Sequence, residues 1–220
     1  MNLGAIFDWD GVIIDSSAQH EASWERLAVE ERRALPPDHF KKGFGMKNEI
    51  IIPKMLGWTS DPSEVSRLSL RKEAIYRDIV RERGIEPLAG VREFLEHLRT
   101  AGVPCAIASS THRENIDLSL AKMGLGGFFS AIVTAEDVSH GKPHPEPYLK
   151  AAEKASRDPR RCIVLEDALM GIEAGVAAGC KVVAVTTTNP RGILEGSGAH
   201  RIVDRLDELN LDALRALFTV

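Results

Sequence analysis

The chain has 220 residues, 44% of them apolar and 27% charged, a composition that fits a folded globular protein and excludes the disordered and fibrous classes. That length suffices for one α/β core with an inserted accessory unit and is short for two full-sized domains. A formal charge of −4 leaves out the basic footprint that nucleic-acid binding by phosphate neutralisation requires, while a local basic site for a small phosphorylated molecule stays open.

The first apolar run, Leu3 to Phe7, has no basic patch before it and runs straight into Asp8, so it is expected to be a strand and not a signal peptide. No apolar run approaches the roughly 20 residues that span a bilayer, so no membrane partner is expected and the cytoplasm is the default location. The three cysteines, Cys105, Cys162 and Cys180, are widely spaced and set among apolar neighbours, which favours buried thiols over a disulfide framework or a zinc site.

From Ser16 to Gly84 no convincing strand is found, and helical periods such as Trp24, Leu27 and Ala28, then Ile50, Ile51, Met55 and Leu56, dominate. Pro36-Pro37, Gly43, Gly45 and the stretch Gly57 to Pro62 punctuate this segment into about four helices. It reads as a helical cap over residues 16–85, inserted after the first strand of a core made of 1–15 and 86–220. Beyond it, apolar runs stop at polar residues again and again: Val103 to Ala108 at Ser109, Ala131 to Val133 at Thr134, Cys162 to Leu165 at Glu166, Lys181 to Val185 at Thr186. Runs of this kind suit strands buried on both faces, and the helical periods between them, such as Val91, Phe94, Leu95, Leu98 or Leu118, Leu120, Ala121, Met123, predict a doubly wound parallel α/β sheet.

Ligands of such sheets gather beyond the carboxyl ends of the strands, where Asp8, Asp10, Ser109, Glu166 and Asp167 are expected. Converging carboxylates repel one another unless a cation holds them, and oxygen-only donors favour Mg²⁺. Asp8, the carbonyl of Asp10 and Asp167 can supply such a set, with Glu166 as a further ligand or as an outer partner that orients one. An aspartate nucleophile divides a difficult hydrolysis into two steps, and a second acid can protonate the leaving oxygen and then activate water, which suits the Asp8-Trp9-Asp10-Gly11 turn. Ser109, followed by Ser110 and a helix, and Lys142, stiffened in Gly141-Lys142-Pro143-His144-Pro145, are the candidates for holding a phosphoryl group.

These residues fall into four ordered motifs: Phe7-Asp8-Trp9-Asp10-Gly11-Val12, Ile107-Ala108-Ser109-Ser110, Gly141-Lys142-Pro143, and Val164-Leu165-Glu166-Asp167-Ala168 leading to Gly171 and Gly175. In this order the chain resembles the haloacid dehalogenase superfamily, in the branch with a helical cap after the first strand, over essentially its whole length. The resemblance implies Asp8 as nucleophile, Asp10 as general acid/base, Ser109, Ser110 and Lys142 as phosphate binders, and a Mg²⁺ site drawing on Asp8, Asp10, Asp167 and Glu166. The paired aspartates imply a phosphatase or phosphomutase, because dehalogenases of the superfamily lack the second acid. Trp9 and Ala168, where a serine is common, depart from the pattern.

In the cap, His20, Trp24 and Lys72 resemble β-phosphoglucomutase and its phosphatase relatives, whereas Lys47-Asn48-Glu49 replaces the arginine that a mutase uses for its second phosphate. The stretch Gly45 to Glu49, with Leu56-Gly57-Trp58 and Asp61-Pro62, is similar to plant plastid phosphatases of riboflavin biosynthesis. His20, Lys72, Lys47 and Glu49 are therefore the cap candidates for substrate contact. The expected partner is a small phosphorylated metabolite, with no nucleic acid, and the expected assembly a monomer or weak homodimer. A phosphohexose mutase, an inorganic pyrophosphatase and a catalytically silent binding protein are the rival readings.

Plainer roles exist for several of these residues. Ser109 could only cap a helix, and Glu166-Asp167 could only complement a helix dipole. His140 and His144 share a loop, but the flanking prolines prevent the helical i, i+4 spacing of a metal pair.

Overall fold

The computed structural model describes residues 2–43 and 46–219; Phe44 and Gly45, and with Gly45 the start of the cap stretch singled out above, lie outside the described residues. The chain divides into two compact units, Met1–Asp15 with Ile85–Val220, and Ser16–Gly84.

The larger unit is built on six parallel strands, β1 (Gly4–Phe7), β2 (Cys105–Ala108), β3 (Phe129–Val133), β4 (Cys162–Glu166), β5 (Lys181–Val185) and β6 (Arg201–Val203), in the order β3-β2-β1-β4-β5-β6. The parallel α/β core expected from the apolar runs is thus what forms. β1, β2 and β4 are buried throughout, as strands covered on both faces must be. β6 escapes the apolar-run criterion because it is a short edge strand whose first residue, Arg201, is exposed.

The smaller unit contains α1 (Ser17–Glu30), α2 (His39–Gly43), α3 (Asn48–Ile50) running into a π-helical turn over Ile51–Met55, and the 22-residue α4 (Pro62–Arg83). Pro53 lacks an amide hydrogen, and the turn around it closes instead from the Leu56 amide to the Ile51 carbonyl at 2.9 Å. α4 starts cleanly because the Asp61 carboxylate accepts the Glu64 amide at 2.9 Å and Pro62 occupies the first helical position. Trp24, Leu27, Ile51, Ile52, Val65, Leu68, Ile75 and Ile79 form this unit's own apolar core.

Helices of the larger unit are α5 (Val91–Thr100), α6 (Arg113–Met123), α7 (Glu146–Lys154), α8 (Leu169–Ala177), and the short α9 (Arg191–Leu194) and α10 (Leu211–Ala216). α5 buries Val91, Phe94, Leu95 and Leu98, the stripe its period predicts. α6 forms where its period predicts, with Leu120 and Met123 buried and Leu118 half-buried; Asn115, Ile116 and Ser119 complete the buried face, and Ala121 is exposed. α8 lies close on the sheet because Gly175 has no side chain; a Cβ there would stand 2.9 Å from Val182 Cγ2 and 3.2 Å from Val164 Cγ1. The three cysteines are buried thiols, and among the described residues no helix is long and apolar enough to cross a membrane.

Candidate active site

Strand register sets the site. Phe7 of β1 pairs with Ile107 of β2 on one side and Leu165 of β4 on the other, so Asp8, Ala108-Ser109 and Glu166-Asp167 leave the sheet at one level. The chain crosses from one half of the sheet to the other between β1's neighbours, which makes this the switch point where an α/β sheet opens a crevice. The Asp8 amide still bonds the Leu165 carbonyl at 3.0 Å, and the Ser109 amide the Val133 carbonyl at 3.0 Å, so both side chains are carried by anchored backbone.

Lys142 reaches this level from the segment before α7. Its Nζ is 2.6 Å from Asp8 Oδ1 and 2.6 Å from Glu166 Oε1, and lies 4.8 Å from the centroid of the Tyr148 ring. Burial favours a neutral lysine, but the two carboxylates outweigh it and hold the ammonium charged beyond the ordinary lysine range. Glu166, 1% exposed, is held from every side: Oε1 also accepts the Tyr148 phenol at 2.7 Å, and Oε2 accepts the amides of Asp167 and Ala168 at 2.8 and 2.9 Å. Burial would raise its carboxyl; Lys142 overrides that and holds it low.

Asp10 follows in a tight loop in which the Gly11 amide bonds the Ile14 carbonyl at 2.7 Å, and its Oδ2 accepts the Thr111 hydroxyl at 2.7 Å. Trp9 between the two aspartates is fully buried. Gly11 has φ +82°, and a Cβ on it would stand 1.8 Å from Asp167 Oδ2. Gly171 is constrained likewise, since its Cβ would stand 1.7 Å from Glu166 Oε1. Ser109, 5% exposed, accepts the Thr111 amide on its Oγ at 3.0 Å, leaving α6 to begin four residues after it, while Ser110 is exposed. Asp167 is fixed through its carbonyl, which accepts Asn189 Nδ2 at 2.9 Å.

One ligand oxygen from each of Asp8, Glu166 and Asp167 lies within 4.8 Å of the others. Three carboxylates thus face one ammonium. Burial first, then the neighbouring acids, push Asp8 up to about 7 and Asp167 up to about 8, with Lys142 opposing in both cases. A buried set of hard oxygen donors with surplus negative charge fits a Mg²⁺-type cation and offers nothing to a soft one.

The cap candidates form a separate cluster within their own unit. Lys72, 3% exposed, lies 2.5 Å from His20 Nδ1 and 2.9 Å from Glu73 Oε1, and His20 stacks on Tyr76 with ring centroids 4.1 Å apart. Burial would raise Glu73, but Lys72 and His20 outweigh it and hold the carboxyl at about 2. Asn48 donates to Glu73 at 2.8 Å and to Ser69 at 3.1 Å, and Ser69 in turn donates to Glu49 at 3.3 Å. Lys47 is exposed ahead of α3. Sequence reasoning did not single out Thr111, Tyr148, Glu73 or Asn189. Thr111 and Asn189 follow the ends of β2 and β5 and were open to the strand-end rule; Tyr148 and Glu73, inside helices, carry no local signal.

Residues 5–185 match the profile of the haloacid dehalogenase-like hydrolases. Over 218 residues the chain is 38% identical to the chloroplastic 5-amino-6-(5-phospho-D-ribitylamino)uracil phosphatase of Arabidopsis thaliana, covering 98% of this chain and 57% of that protein. This chain therefore spans little more than half of that relative's length. It is also 33% identical to hexitol phosphatase A of Escherichia coli K12, over 83% of this chain and 82% of that one. Among solved structures, a family IA haloacid dehalogenase hydrolase from Entamoeba histolytica superimposes with a TM-score of 0.87 at 25% identity, covering 98% of this chain and 99% of the other. With the four motifs gathered at the switch point of one parallel sheet and the match running through all of them, the chain belongs to the haloacid dehalogenase-like hydrolase family.

Proposed function

We propose that the chain is a phosphoric monoester hydrolase acting on a small phosphorylated metabolite through a phosphoryl group carried on Asp8. The observation that carries this reading is the Lys142 ammonium, 2.6 Å from Asp8, beside the paired acids. It screens a carboxylate that must approach an anionic ester and gives the equatorial oxygens a cation to rest on.

In the first step the Asp8 carboxylate forms a bond to phosphorus as the bond to the ester oxygen breaks, and Asp10, entering protonated, gives its proton to the departing alkoxide. In the second, Asp10 takes a proton from water as that water's oxygen bonds to phosphorus. The Asp8–phosphorus bond breaks, returning free carboxylate and inorganic phosphate. Thr111 holds the Asp10 carboxyl by its hydroxyl, Ser109 and Ser110 take the phosphoryl oxygens, and Glu166, tied by four donors, positions Lys142. Asp8, Asp10 and Asp167 are the residues that would hold Mg²⁺, with Glu166 as the outer partner. When bound, the ion supplies positive charge that lets carboxylates and phosphate share the site.

Two relatives bear names that specify a phosphorylated ribityl chain and a hexitol. Both are open-chain polyols, and an open-chain polyol phosphate is the substrate class this reading assigns here. Selection is assigned to the cap residues His20, Lys72, Lys47 and Glu49.

The test is phosphate release from a panel holding polyol phosphates, the phosphoribitylamino-uracil, glucose 1-phosphate and pyrophosphate, in the presence of Mg²⁺. Polyol phosphates are expected to turn over best, and Asp8→Asn to abolish turnover. Undiminished turnover by Asp8→Asn overturns the reading, and conversion of glucose 1-phosphate to glucose 6-phosphate without phosphate release would replace it with a mutase.

A further inference from the structure

The segment that presents Lys142 carries a second set of ligand-type side chains for which the proposed reaction has no use. His140 and His144 stand two residues to either side of Lys142. Prolines 143 and 145 keep the segment out of a helix, yet a turn closed from the His144 amide to the Gly141 carbonyl at 3.0 Å folds it back. The two imidazole centroids are consequently 4.7 Å apart. Glu146, the first residue of α7, completes the group: one ligand atom from each of His140, His144 and Glu146 lies within 4.8 Å of the others.

Glu146 is already set as a ligand. Its two oxygens accept the amides of Ser139 and His140, each at 3.0 Å, and Lys150 pairs with it at 2.7 Å. Lys150 first, then the Ser139 amide, hold its carboxyl down at about 2, so it stands as a carboxylate. Lys150 has a second acceptor in the Asp137 carbonyl at 2.7 Å and can yield its place to a cation. His140 Nδ1 lies 3.1 Å from Glu146 Oε2, so this imidazole and the carboxylate already stand side by side, and a cation would enter between them in place of that contact. His144 Nδ1 accepts the Glu146 amide at 3.2 Å, a long bond and a weak competitor.

Two imidazoles and one carboxylate make a donor set for borderline cations such as Zn²⁺ and not for Mg²⁺, the opposite preference to the oxygen-only group at the strand ends. Tetrahedral ligands at bonds of about 2.1 Å stand about 3.4 Å apart, so His140 and Glu146, at 3.1 Å, are already close enough and the pairs nearer the 4.8 Å limit must close by up to about 1.4 Å. His140 and His144 are exposed and have the room to do so.

We propose that His140, His144 and Glu146 form a surface site for a Zn²⁺-class divalent cation, separate from the carboxylates of the active site and with a fourth position open to water. Occupancy ties the chain on both sides of Lys142 to the first turn of α7, and so braces the segment that carries the active-site ammonium.

The test is calorimetric titration of the tag-free full chain with Zn²⁺ in excess Mg²⁺, which competes for the oxygen-only group. One equivalent is expected to bind. The His140→Ala/His144→Ala double variant is expected to weaken this by more than about tenfold, since even an outer partner of a metal ligand is worth that much. Its Tm and Mg²⁺-supported phosphatase turnover should stay at the wild-type level, which shows an intact fold. Glu146→Gln is the second variant, expected to weaken Zn²⁺ in the same direction with both imidazoles in place. No Zn²⁺ uptake by the wild type, or uptake of equal affinity by the variants, overturns the proposal.

Discussion

Tyr148 donates its phenol hydrogen, at 2.7 Å, to the same Glu166 oxygen that accepts Lys142 at 2.6 Å. The lysine that faces Asp8 is thus positioned by a helix residue that is itself fully buried and presents its ring face to Lys142. Tyr148→Phe keeps the ring and removes the donor. A hydrogen bond to a buried charged acceptor is worth about 1.5–3 kcal/mol, so unfolding stability should fall by about that amount in denaturant titration. The turnover number should drop about tenfold as Glu166 loses its grip on Lys142. A variant of wild-type stability and rate would show that the phenol only fills space.

Thr111→Ala removes the hydroxyl that holds Asp10 Oδ2. If Asp10 moves the proton at both steps, kcat should fall about tenfold or more while KM changes little, and the pH–rate profile should shift along the limb that reports this acid. Thr111→Ser retains a hydroxyl and should recover most of the rate. Loss of KM alone would assign Thr111 to ground-state binding.

Gly11→Ala should cost the activity about hundredfold or more, because its Cβ would stand 1.8 Å from Asp167 Oδ2 and displacement of a site group by an ångström has that effect. Gly102 also has positive φ, +67°, but has open space around it. Gly102→Ala should lower stability by about 1–2 kcal/mol through backbone strain and leave turnover unchanged. Equal activity losses in both variants would mean that strain, and not the approach to Asp167, makes glycine necessary at position 11.

The acids also predict how added Mg²⁺ depends on pH. Burial pushes Asp8 up to about 7 and Asp167 up to about 8 in the folded chain, whereas unfolded aspartates release their protons at about pH 4. Between those values the folded state binds more protons than the unfolded one, so stability without added metal falls as pH rises from about 4 to about 8. A cation that binds these carboxylates must displace the protons, which costs more at low pH. The Tm increase produced by Mg²⁺ should therefore be larger at pH 8 than at pH 6. The same increase at both would place Mg²⁺ on groups other than these acids.

Much of the core was legible because parallel strands buried on both faces are apolar from end to end and stop abruptly. The runs ending at Asp8, Ser109 and Glu166 became β1, β2 and β4, and their register brings those ends to one level. β6 was not legible, since an edge strand needs only one apolar face and three residues carry too little pattern. The buried face of α6 was legible only in part, because Asn115 and Ser119 lie within it and polar residues leave no mark in an apolar period.

By itself the sequence determined which residues end buried strands and which chemical groups the site has to work with: carboxylates, two serines and one lysine on a stiff segment. It did not determine the contacts. Lys142 meets Asp8 across 134 residues, Thr111 meets Asp10 across 101, and Gly11 matters because Asp167 packs against it. His140 and His144, kept out of a helix by their prolines, came together through a turn. Local pattern is written in neighbouring residues, and a site is written in distances between residues that only the packed chain brings close.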